Sequence, residues 1–241
     1  MSIFVEYYGD MERVFEGKKA LVVGGTGGIG KEISVRLMSL GADVTVIGRH
    51  PLEGAVFLDI NLDCRENWGI ISERAAHTEI LCCARGPFLQ KSLEDTTATE
   101  WDTVVGANLV FPGMLVSAAL PRMMDSGWGR IAFLGGTRTD TVHGFRTNAV
   151  YGAAKIGLSS LVRSVGEYYG RFGITCNAVC PGFVDTEYSG EQEKKVLAAK
   201  NPDGKLVSAG DVAESLLFLM KNPIYNGVVL KVDKGWHPGF C

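Results

Sequence analysis

Residues 20–30 read Ala-Leu-Val-Val-Gly-Gly-Thr-Gly-Gly-Ile-Gly, a short apolar run that passes directly into a turn in which five of seven residues are glycine. The run predicts a buried strand, and apolar residues spaced by three or four from Ile29 to Leu40 predict a helix after the turn. Glycines let a pyrophosphate approach the backbone closely, and the free N–H groups at the helix start then bind the anion. The stretch therefore predicts a dinucleotide site, with a purely structural glycine-rich turn as the alternative.

The alternation of strand and helix patterns continues along the chain. Short apolar runs rich in β-branched residues predict seven strands, at residues 20–23, 44–47, 55–58, 80–83, 131–134, 175–179 and 228–232. Amphipathic stretches predict five helices, at residues 29–40, 68–76, 101–125, 150–172 and 211–220. Such alternation builds a parallel sheet that is covered on both faces. The predicted fold is a single doubly wound α/β domain of the Rossmann type with a seven-stranded parallel sheet.

The domain boundaries follow from this pattern. A chain of 241 residues that is 46% apolar has enough material for one sizeable core. Residues 1–17 precede the first strand and are predicted to form an N-terminal arm, which leaves residues 18–241 as the dinucleotide-binding domain. Residues 186–209 are polar and interrupt the alternation, so we expect a mobile loop there with one short helix.

Composition and charge argue against several kinds of partner. The 24 Lys and Arg residues are outnumbered by 27 Asp and Glu residues, and a net charge of -3 argues against a nucleic-acid-binding protein. No apolar run approaches the roughly 18 residues that span a bilayer, so we expect a cytoplasmic protein without a membrane partner. The cysteines show neither CxxC nor zinc spacing, so we expect reduced thiols and no metal site. They are Cys64, Cys82, Cys83, Cys176, Cys180 and Cys241.

The end of the second strand bears on the choice of cofactor. NAD-binding folds usually place an Asp or Glu about 20 residues beyond the glycines to bind the ribose 2′-hydroxyl, whereas an Arg suits a 2′-phosphate. Here Gly48 and Arg49 follow the strand and the acidic residue is missing. We therefore expect NADP(H) to be preferred over NAD(H), with a solvated Arg as the alternative. Asp59 is placed either to bind the adenine amino group or to be a solvated turn residue.

Tyr151 and Lys155 lie four residues apart in a predicted helix and therefore share one face of it. An unperturbed Tyr titrates near pH ~10, too high for acid and base work at neutrality, and a nearby ammonium favours its phenolate. The pair is suited to general acid and base catalysis, although an exposed polar pair fits the spacing equally well.

Several separate motifs together resemble the short-chain dehydrogenase/reductase family, over residues 18–235. They are the GxxxGxG of Gly24, Gly28 and Gly30, the adenine-contacting Asp59, the helical Asn108, the YxxxK of Tyr151 and Lys155, the NxxxPGxxxT of residues 177–186 and the closing strand of residues 227–235. Within the family, the chain is similar to carbonyl reductases of the 3-oxoacyl-(acyl carrier protein) reductase type.

The resemblance implies an NADP-dependent oxidoreductase that moves hydride between the nicotinamide and a small carbonyl or alcohol substrate. Tyr151 is then the general acid and base, Lys155 holds the nicotinamide ribose and Asn108 belongs to the proton relay. The resemblance also implies a short substrate loop at residues 186–208 and a homodimer or homotetramer. The implied cofactor-binding residues are Gly24, Thr26, Gly28, Ile29, Gly30, Arg49, Asp59, Ile60, Gly86, Tyr151, Lys155, Pro181, Gly182 and Thr186.

Two places depart from the family pattern. The position of the family's substrate-orienting Ser falls on Gly136. We expect Thr137 to supply the missing hydroxyl, with Thr139 or no hydroxyl at all as alternatives. The family's Asn-Asn-Ala-Gly reads Cys-Ala-Arg-Gly at residues 83–86. Arg85 then binds the pyrophosphate, binds an anionic substrate or turns to solvent.

These departures keep a second function open, a nucleotide-binding protein of the same fold with little or no reductase activity, such as a sensor or an assembly subunit. A third function, that of an enoyl reductase of the family's divergent branch, predicts a Tyr to Lys spacing longer than the four residues found here.

Overall fold

Seven parallel strands form the central sheet of the computed structural model, which describes residues 13–237. Two further short strands, β7 and β8, lie outside this sheet. In chain order the strands are β1 (Lys19–Val23), β2 (Asp43–Ile47), β3 (Val56–Leu58), β4 (Ile80–Cys83), β5 (Gly129–Leu134), β6 (Ile174–Pro181), β7 (Val184–Asp185), β8 (Val207–Ser208) and β9 (Val229–Val232). The sheet has the order β3-β2-β1-β4-β5-β6-β9, and all its pairings are parallel. The predicted doubly wound fold and its seven strands are confirmed.

The helices lie between the strands as the alternation predicts. They are α1 (Gly28–Ser39), α2 (Trp68–Ala75), α3 (Ala98–Val105), α4 (Phe111–Ser126), α5 (Ala149–Tyr169), α6 (Glu191–Ala198) and α7 (Ala209–Lys221). The helix predicted at residues 101–125 is present within Ala98–Ser126, and a π-helical turn, Gly106–Val110, lies inside it between α3 and α4. Pro112 in the first turn of α4 has no N–H to continue the regular hydrogen-bond ladder.

Side chains of each strand alternate between two cores on opposite faces of the sheet. In β1, Ala20 and Val22 pack with α1 and α7, whereas Leu21 and Val23 pack with α2, α4 and α5. Because helices cover both faces, the central strands are apolar on both sides, and this produces continuous apolar runs in the sequence.

The strand order reverses at β1 and β4. β2 and β3 lie on one side of this pair, and β5, β6 and β9 lie on the other. Connections from neighbouring strands leave in opposite directions at such a point, which opens a crevice beyond their carboxyl ends. The glycine turn follows β1 and residues 84–87 follow β4, so both segments border this crevice.

The polar segment after β6 contains structure that the sequence patterns missed. β7 and β8 form a parallel two-stranded sheet, and the one short helix expected in this segment is α6. Strands of two residues are too short to produce a recognisable alternation. The pair fixes both ends of the segment that carries α6.

Residues Ala98–Ser126 are long and apolar enough to cross a membrane by length and composition alone, with a mean hydropathy of 1.7. This finding corrects the expectation that no stretch reaches that threshold. However, 56% of the most apolar window is buried inside the protein. Phe111, Leu115 and Met123 of α4 belong to the core, and the core helix of a soluble protein meets the same test.

The end of the predicted N-terminal arm is part of the core. Residues 1–12 lie outside the described residues, but Phe15 is only 1% exposed and packs edge-on against Trp128 with ring centres 6.4 Å apart. Its N–H donates to the Leu40 carbonyl at 2.9 Å. Phe15, which the predicted boundary assigns to the arm, therefore packs with the core of the domain.

Replacing Phe15 with Ala should lower the free energy of unfolding by roughly 3 to 5 kcal/mol, because it leaves a cavity beneath α1. Val14 is 43% exposed, so Val14→Ala should change it by less than about 0.5 kcal/mol. Urea unfolding of both variants measures the difference. Equal stability of the two variants would mean that Phe15 does not anchor the segment.

Candidate active site

The crevice at the carboxyl ends of β1 and β4 encloses about 640 Å³. This volume lies within the roughly 300 to 1,000 Å³ typical of small-molecule and cofactor sites. Eight residues predicted to bind the cofactor line it: Gly24, Thr26, Ile29, Arg49, Asp59, Ile60, Gly86 and Thr186.

The glycine turn between β1 and α1 packs backbone against backbone. Gly24 and Gly28 have φ angles of +77° and +49°, a left-handed conformation that favours glycine. A Cβ on Gly30 would overlap the Gly24 carbonyl, and the Ser34 hydroxyl donates to the Gly25 carbonyl at 2.9 Å. The N-cap residue of α1 is Gly27, which has no side chain to cap the helix. The first N–H groups of α1 can therefore bind an anion that another part of the chain or a ligand supplies. The backbone therefore fits a pyrophosphate.

Thr26 fills the space beside the end of β2. A Cβ on Gly48 would lie 2.7 Å from Thr26 Cγ2, so an acidic side chain fits at position 48 only if Thr26 moves. The Arg49 N–H donates to the Thr26 hydroxyl at 3.1 Å, and the Arg49 guanidinium lies 5.1 Å from the centre of the Tyr188 ring. At the position that separates the two nicotinamide cofactors, the crevice presents a cation and no carboxylate.

Arg85 and Asp63 form an ion pair in the wall of the crevice. The Arg85 side chain is 20% exposed, which argues against the alternative in which it turns to solvent. Binding of pyrophosphate or of an anionic substrate by Arg85 stays a prediction. Asp59 lines the crevice and is exposed, so its contact with adenine also stays a prediction.

Tyr151 and Lys155 lie together in the first turns of α5. The Lys155 Nζ atom is 5.8 Å from the centre of the Tyr151 ring and donates to the Leu134 carbonyl, at the end of β5, at 2.7 Å. Phe88 packs edge-on against Tyr151, with ring centres 5.0 Å apart. The end of β5 and the start of α5 thus hold the phenol and the ammonium at the carboxyl edge of the sheet.

Burial changes the proton affinity of both groups. Lys155 is 4% exposed, and burial lowers its pKa to about 8, although the nearby Cys83 and Cys180 thiols act in the opposite direction. Burial also raises the pKa of Tyr151, and Cys180 adds to this shift. At neutral pH the phenol therefore keeps its proton and most of the ammonium keeps its charge.

The described cysteines, from Cys64 to Cys180, are free thiols, and Cys241 lies outside the described residues. Burial raises the pKa of Cys83 and of Cys180, so both thiols are neutral at physiological pH. Within residues 13–237 there is no group of three His, Cys, Asp or Glu side chains that could hold a metal ion.

Asn108 lies in the π-helical turn between α3 and α4. Its Nδ2 atom donates to the Val104 and Pro87 carbonyls, each at 3.0 Å. Its Oδ1 atom is buried and has no hydrogen-bond partner among the described residues. A Cβ on Gly86 would overlap this atom and lie 3.3 Å from Lys155 Nζ. Asn108, Gly86 and Lys155 are therefore close neighbours, with one acceptor left free.

Gly136, and not Thr137, faces the Tyr151 phenol. A Cβ on Gly136 would lie 3.0 Å from the Tyr151 Oη atom. The Thr137 hydroxyl donates to the Pro181 carbonyl at 3.0 Å. The buried Thr139 hydroxyl bonds the N–H and the carbonyl of Gly136 at 2.8 and 2.9 Å. Thr137 has to leave Pro181 before it can donate to a substrate, so its role stays a prediction.

Pro181 is the last residue of β6, and Gly182 follows it. The Gly182 N–H donates to the Val232 carbonyl at 3.0 Å, and a Cβ on Gly182 would lie 2.7 Å from the Cβ of Asp233. Glycine is therefore required here by packing against the end of β9. Direct contact of Pro181 and Gly182 with the cofactor stays a prediction.

Two residues of the site were not predicted, Glu187 and Tyr188, which directly follow Thr186. The Gly28 N–H donates to Glu187 Oε1 at 2.9 Å, across 159 residues of sequence. Tyr188 lines the crevice above the glycine turn. No local signal distinguishes these residues from other polar residues of a loop, because their partners are distant in sequence.

A glycine turn at a sheet crevice, with a tyrosine beside a buried lysine at its edge, defines a dinucleotide-dependent oxidoreductase. A family model described as enoyl-(acyl carrier protein) reductase matches residues 69–237. The 3-oxoacyl-(acyl-carrier-protein) reductase FabG of Pseudomonas aeruginosa is 31% identical, over 92% of this chain and 98% of that protein. The chain belongs to the short-chain dehydrogenase/reductase family.

Solved structures show the same fold. A protein titled short chain dehydrogenase/reductase family protein is 30% identical, with a TM-score of 0.82 over 92% of this chain and 97% of that chain. A putative NAD(P) dependent gluconate 5-dehydrogenase from Beutenbergia cavernae, with bound NADP, has the same TM-score and coverage at 24% identity. At this identity, the similarity to the Beutenbergia cavernae structure supports only the fold.

The buried ammonium should make stability depend on pH. Burial lowers the pKa of Lys155 from 10.5 to about 8, so the native state binds this proton more weakly than the unfolded state. The contribution of Lys155 to stability should therefore rise with pH between these values. Between pH 7.5 and 9.5, the unfolding free energy of the wild type relative to Lys155→Met should rise by roughly 1 to 2 kcal/mol.

Urea unfolding of both proteins at the two pH values measures this change, and titrating groups that do not interact with Lys155 cancel in the difference. A difference that does not depend on pH would show that the pKa of Lys155 is not lowered in the native state.

Proposed function

We propose that this protein is an NADP(H)-dependent oxidoreductase that interconverts a small carbonyl substrate and its alcohol, with Tyr151 as general acid and base. The observation that carries the proposal is the pairing of Tyr151 with Lys155 at the edge of the crevice, 5.8 Å from ring centre to Nζ. Perturbed pKa values in a cleft are typical of catalytic groups.

The phenol and the ammonium have complementary tasks. Because burial raises its pKa, Tyr151 holds a proton at neutral pH that it can give to a substrate oxygen as negative charge develops there. The Lys155 ammonium stabilises the phenolate that is left, and its bond to the Leu134 carbonyl keeps it in place. Asn108 has a free buried acceptor beside Lys155, which suits a relay that returns the proton from solvent.

Residues of the crevice and of its edge provide groups that suit each part of a dinucleotide. The N–H groups at the start of α1 would bind the pyrophosphate, Arg49 the 2′-phosphate and Lys155 the nicotinamide ribose. Asp59, Ile60 and Gly86 would border the adenosine half. When bound, the nicotinamide supplies or accepts the hydride.

Orientation of the substrate carbonyl is assigned to Thr137, after it exchanges the Pro181 carbonyl for the substrate oxygen. Thr139 is the weaker candidate, because its hydroxyl already bonds both backbone groups of Gly136. Arg85 is assigned to an anionic group of cofactor or substrate, which would have to compete with Asp63.

Two other functions have specific observations in their favour. Gly136 leaves no hydroxyl beside Tyr151, which favours a nucleotide-binding protein with little or no reductase activity. The description of the matching family model favours an enoyl reductase. The four-residue Tyr to Lys spacing and the relative named a 3-oxoacyl reductase favour carbonyl reduction. We further expect a cytoplasmic protein, as the sequence pattern predicts, that forms the homodimer or homotetramer implied by the family resemblance.

Replacing Tyr151 with Phe should lower kcat for carbonyl reduction at least ~100-fold, because the proton donor is lost. The Kd for NADPH should stay within a few-fold of the wild-type value. Tyr168→Phe is the matched control, since Tyr168 lies on the same helix and is 58% exposed. NADPH oxidation is followed with small ketones, small aldehydes, a 3-oxoacyl thioester and an enoyl thioester.

Each alternative gives a different result in this assay. Turnover of the enoyl thioester alone would identify an enoyl reductase, and NADPH binding without any turnover would identify a binding protein. Near-normal kcat of Tyr151→Phe on a carbonyl would remove Tyr151 as the acid.

Arg49 should set the preference between the cofactors. A charge-assisted hydrogen bond to the 2′-phosphate contributes about 1.5 to 3 kcal/mol, so NADPH should bind roughly 10-fold to 150-fold more tightly than NADH. Arg49→Ala should remove most of this ratio by weakening NADPH alone. Arg171→Ala, at the far end of α5, removes the same charge and should leave the ratio unchanged. Fluorescence titration at fixed ionic strength gives the dissociation constants of all three proteins for both cofactors, and equal wild-type affinities for the two cofactors would refute the NADP preference.

A further inference from the structure

Residues 186–190 connect β7 to α6 and pass over the glycine turn; we call this segment the strap. Its Glu187 carboxylate accepts the Gly28 N–H at 2.9 Å. Gly28 is the first residue of α1, and its N–H belongs to the set that the pyrophosphate of a dinucleotide would bind. The strap therefore places an anion of the chain itself at the anion site.

Tyr188 covers the neighbouring part of the site. A Cβ on Gly27 would overlap the Tyr188 hydroxyl, and a Cβ on Gly28 would lie 3.1 Å from Tyr188 Cε2. The outer part of the crevice is involved as well, because the Arg49 guanidinium lies over the Tyr188 ring. Two adjacent strap residues thus contact both groups expected to bind phosphate, the helix N-terminus and Arg49.

Glu187 is an anion at neutral pH. Hydrogen bonds from its own N–H, the Gly28 N–H and the Tyr188 hydroxyl lower the pKa of its carboxyl group, and Lys31 adds to this effect. Because no side chain of the N-cap residue caps α1, Glu187 acts as a remote cap. A bound pyrophosphate would replace it with the same kind of interaction.

We propose that the strap is an internal competitor for the cofactor, in which Glu187 occupies the pyrophosphate position and has to be displaced before NADP(H) binds. This inference rests on the proposed function, since it concerns the same site. It makes Glu187 a residue that weakens cofactor affinity, although it borders the cofactor crevice.

Moving the strap away from the glycine turn should require little free energy. At its start, β7 is held by pairing with β8, and at its other end Lys194 of α6 pairs with Asp185 at 2.7 Å. None of the residues of α6 is buried, and Glu187 and Tyr188 are exposed. Displacement therefore uncovers no core surface. Thr186 belongs to the same segment, so opening also moves a residue predicted to bind the cofactor.

The test compares Glu187→Gln with Glu193→Gln, an exposed position on α6 at which the same charge is lost. Isothermal titration calorimetry gives the Kd of each protein for NADPH and for inorganic pyrophosphate. Glu187→Gln should bind both ligands roughly 10-fold more tightly than the wild type, since a charge-assisted bond no longer competes. Glu193→Gln should change either Kd less than about 2-fold.

A second measurement reports the contact without any ligand. In an NMR spectrum of the free protein, the Gly28 amide resonance should move in Glu187→Gln and stay in place in Glu193→Gln. An unchanged Gly28 resonance, or an unchanged or weaker affinity of Glu187→Gln, would overturn the inference. If the wild type binds and oxidises NADPH in that case, the proposed function stands. If no variant binds NADPH, both fail.

Discussion

The parallel pairing of β1 with β2 on one side and β4 on the other decides where the functional groups of this protein lie. Chain connections leave these strands in opposite directions, so their carboxyl ends border a crevice that no helix fills. The glycine turn, Arg49 and the segment after β4 reach the crevice because each follows one of these strands, and Asp59 reaches it from the end of the neighbouring β3. Leu134 at the end of the next strand then receives Lys155.

Burial of the Lys155 ammonium and the Tyr151 phenol shifts their pKa values at this edge of the sheet, and burial of the charged ammonium also lowers the stability of the fold. An ammonium that is 4% exposed, with one carbonyl as its hydrogen-bond partner, is costly to keep charged, and its lowered pKa expresses that cost. The same low-dielectric surroundings keep the Tyr151 phenol protonated. The proton and hydride transfer that we propose for this site would both benefit from the exclusion of water, so the proposed activity and the stability of the fold make opposing demands on the same residues.

Anion binding follows a related principle. A helix that begins in a glycine turn without a side-chain cap has N–H groups in need of a partner, and any carboxylate or phosphate within reach satisfies them. Glu187 reaches them from the strap. The strap residues and a dinucleotide therefore compete for one set of donors, and the affinity of the cofactor becomes a difference between two similar interactions.

The sequence by itself determined the features that depend on neighbours along the chain. Strands buried on both faces appear as continuous apolar runs, the glycines mark the turn after β1, and a spacing of four places Tyr151 beside Lys155 on α5. What depends on distant partners was decided by the tertiary structure. The Thr137 hydroxyl bonds Pro181, Arg85 pairs with Asp63, and Glu187 meets Gly28 across 159 residues. A polar side chain takes whichever partner the folded chain brings within about 3 Å, and local periodicity carries no information about that partner.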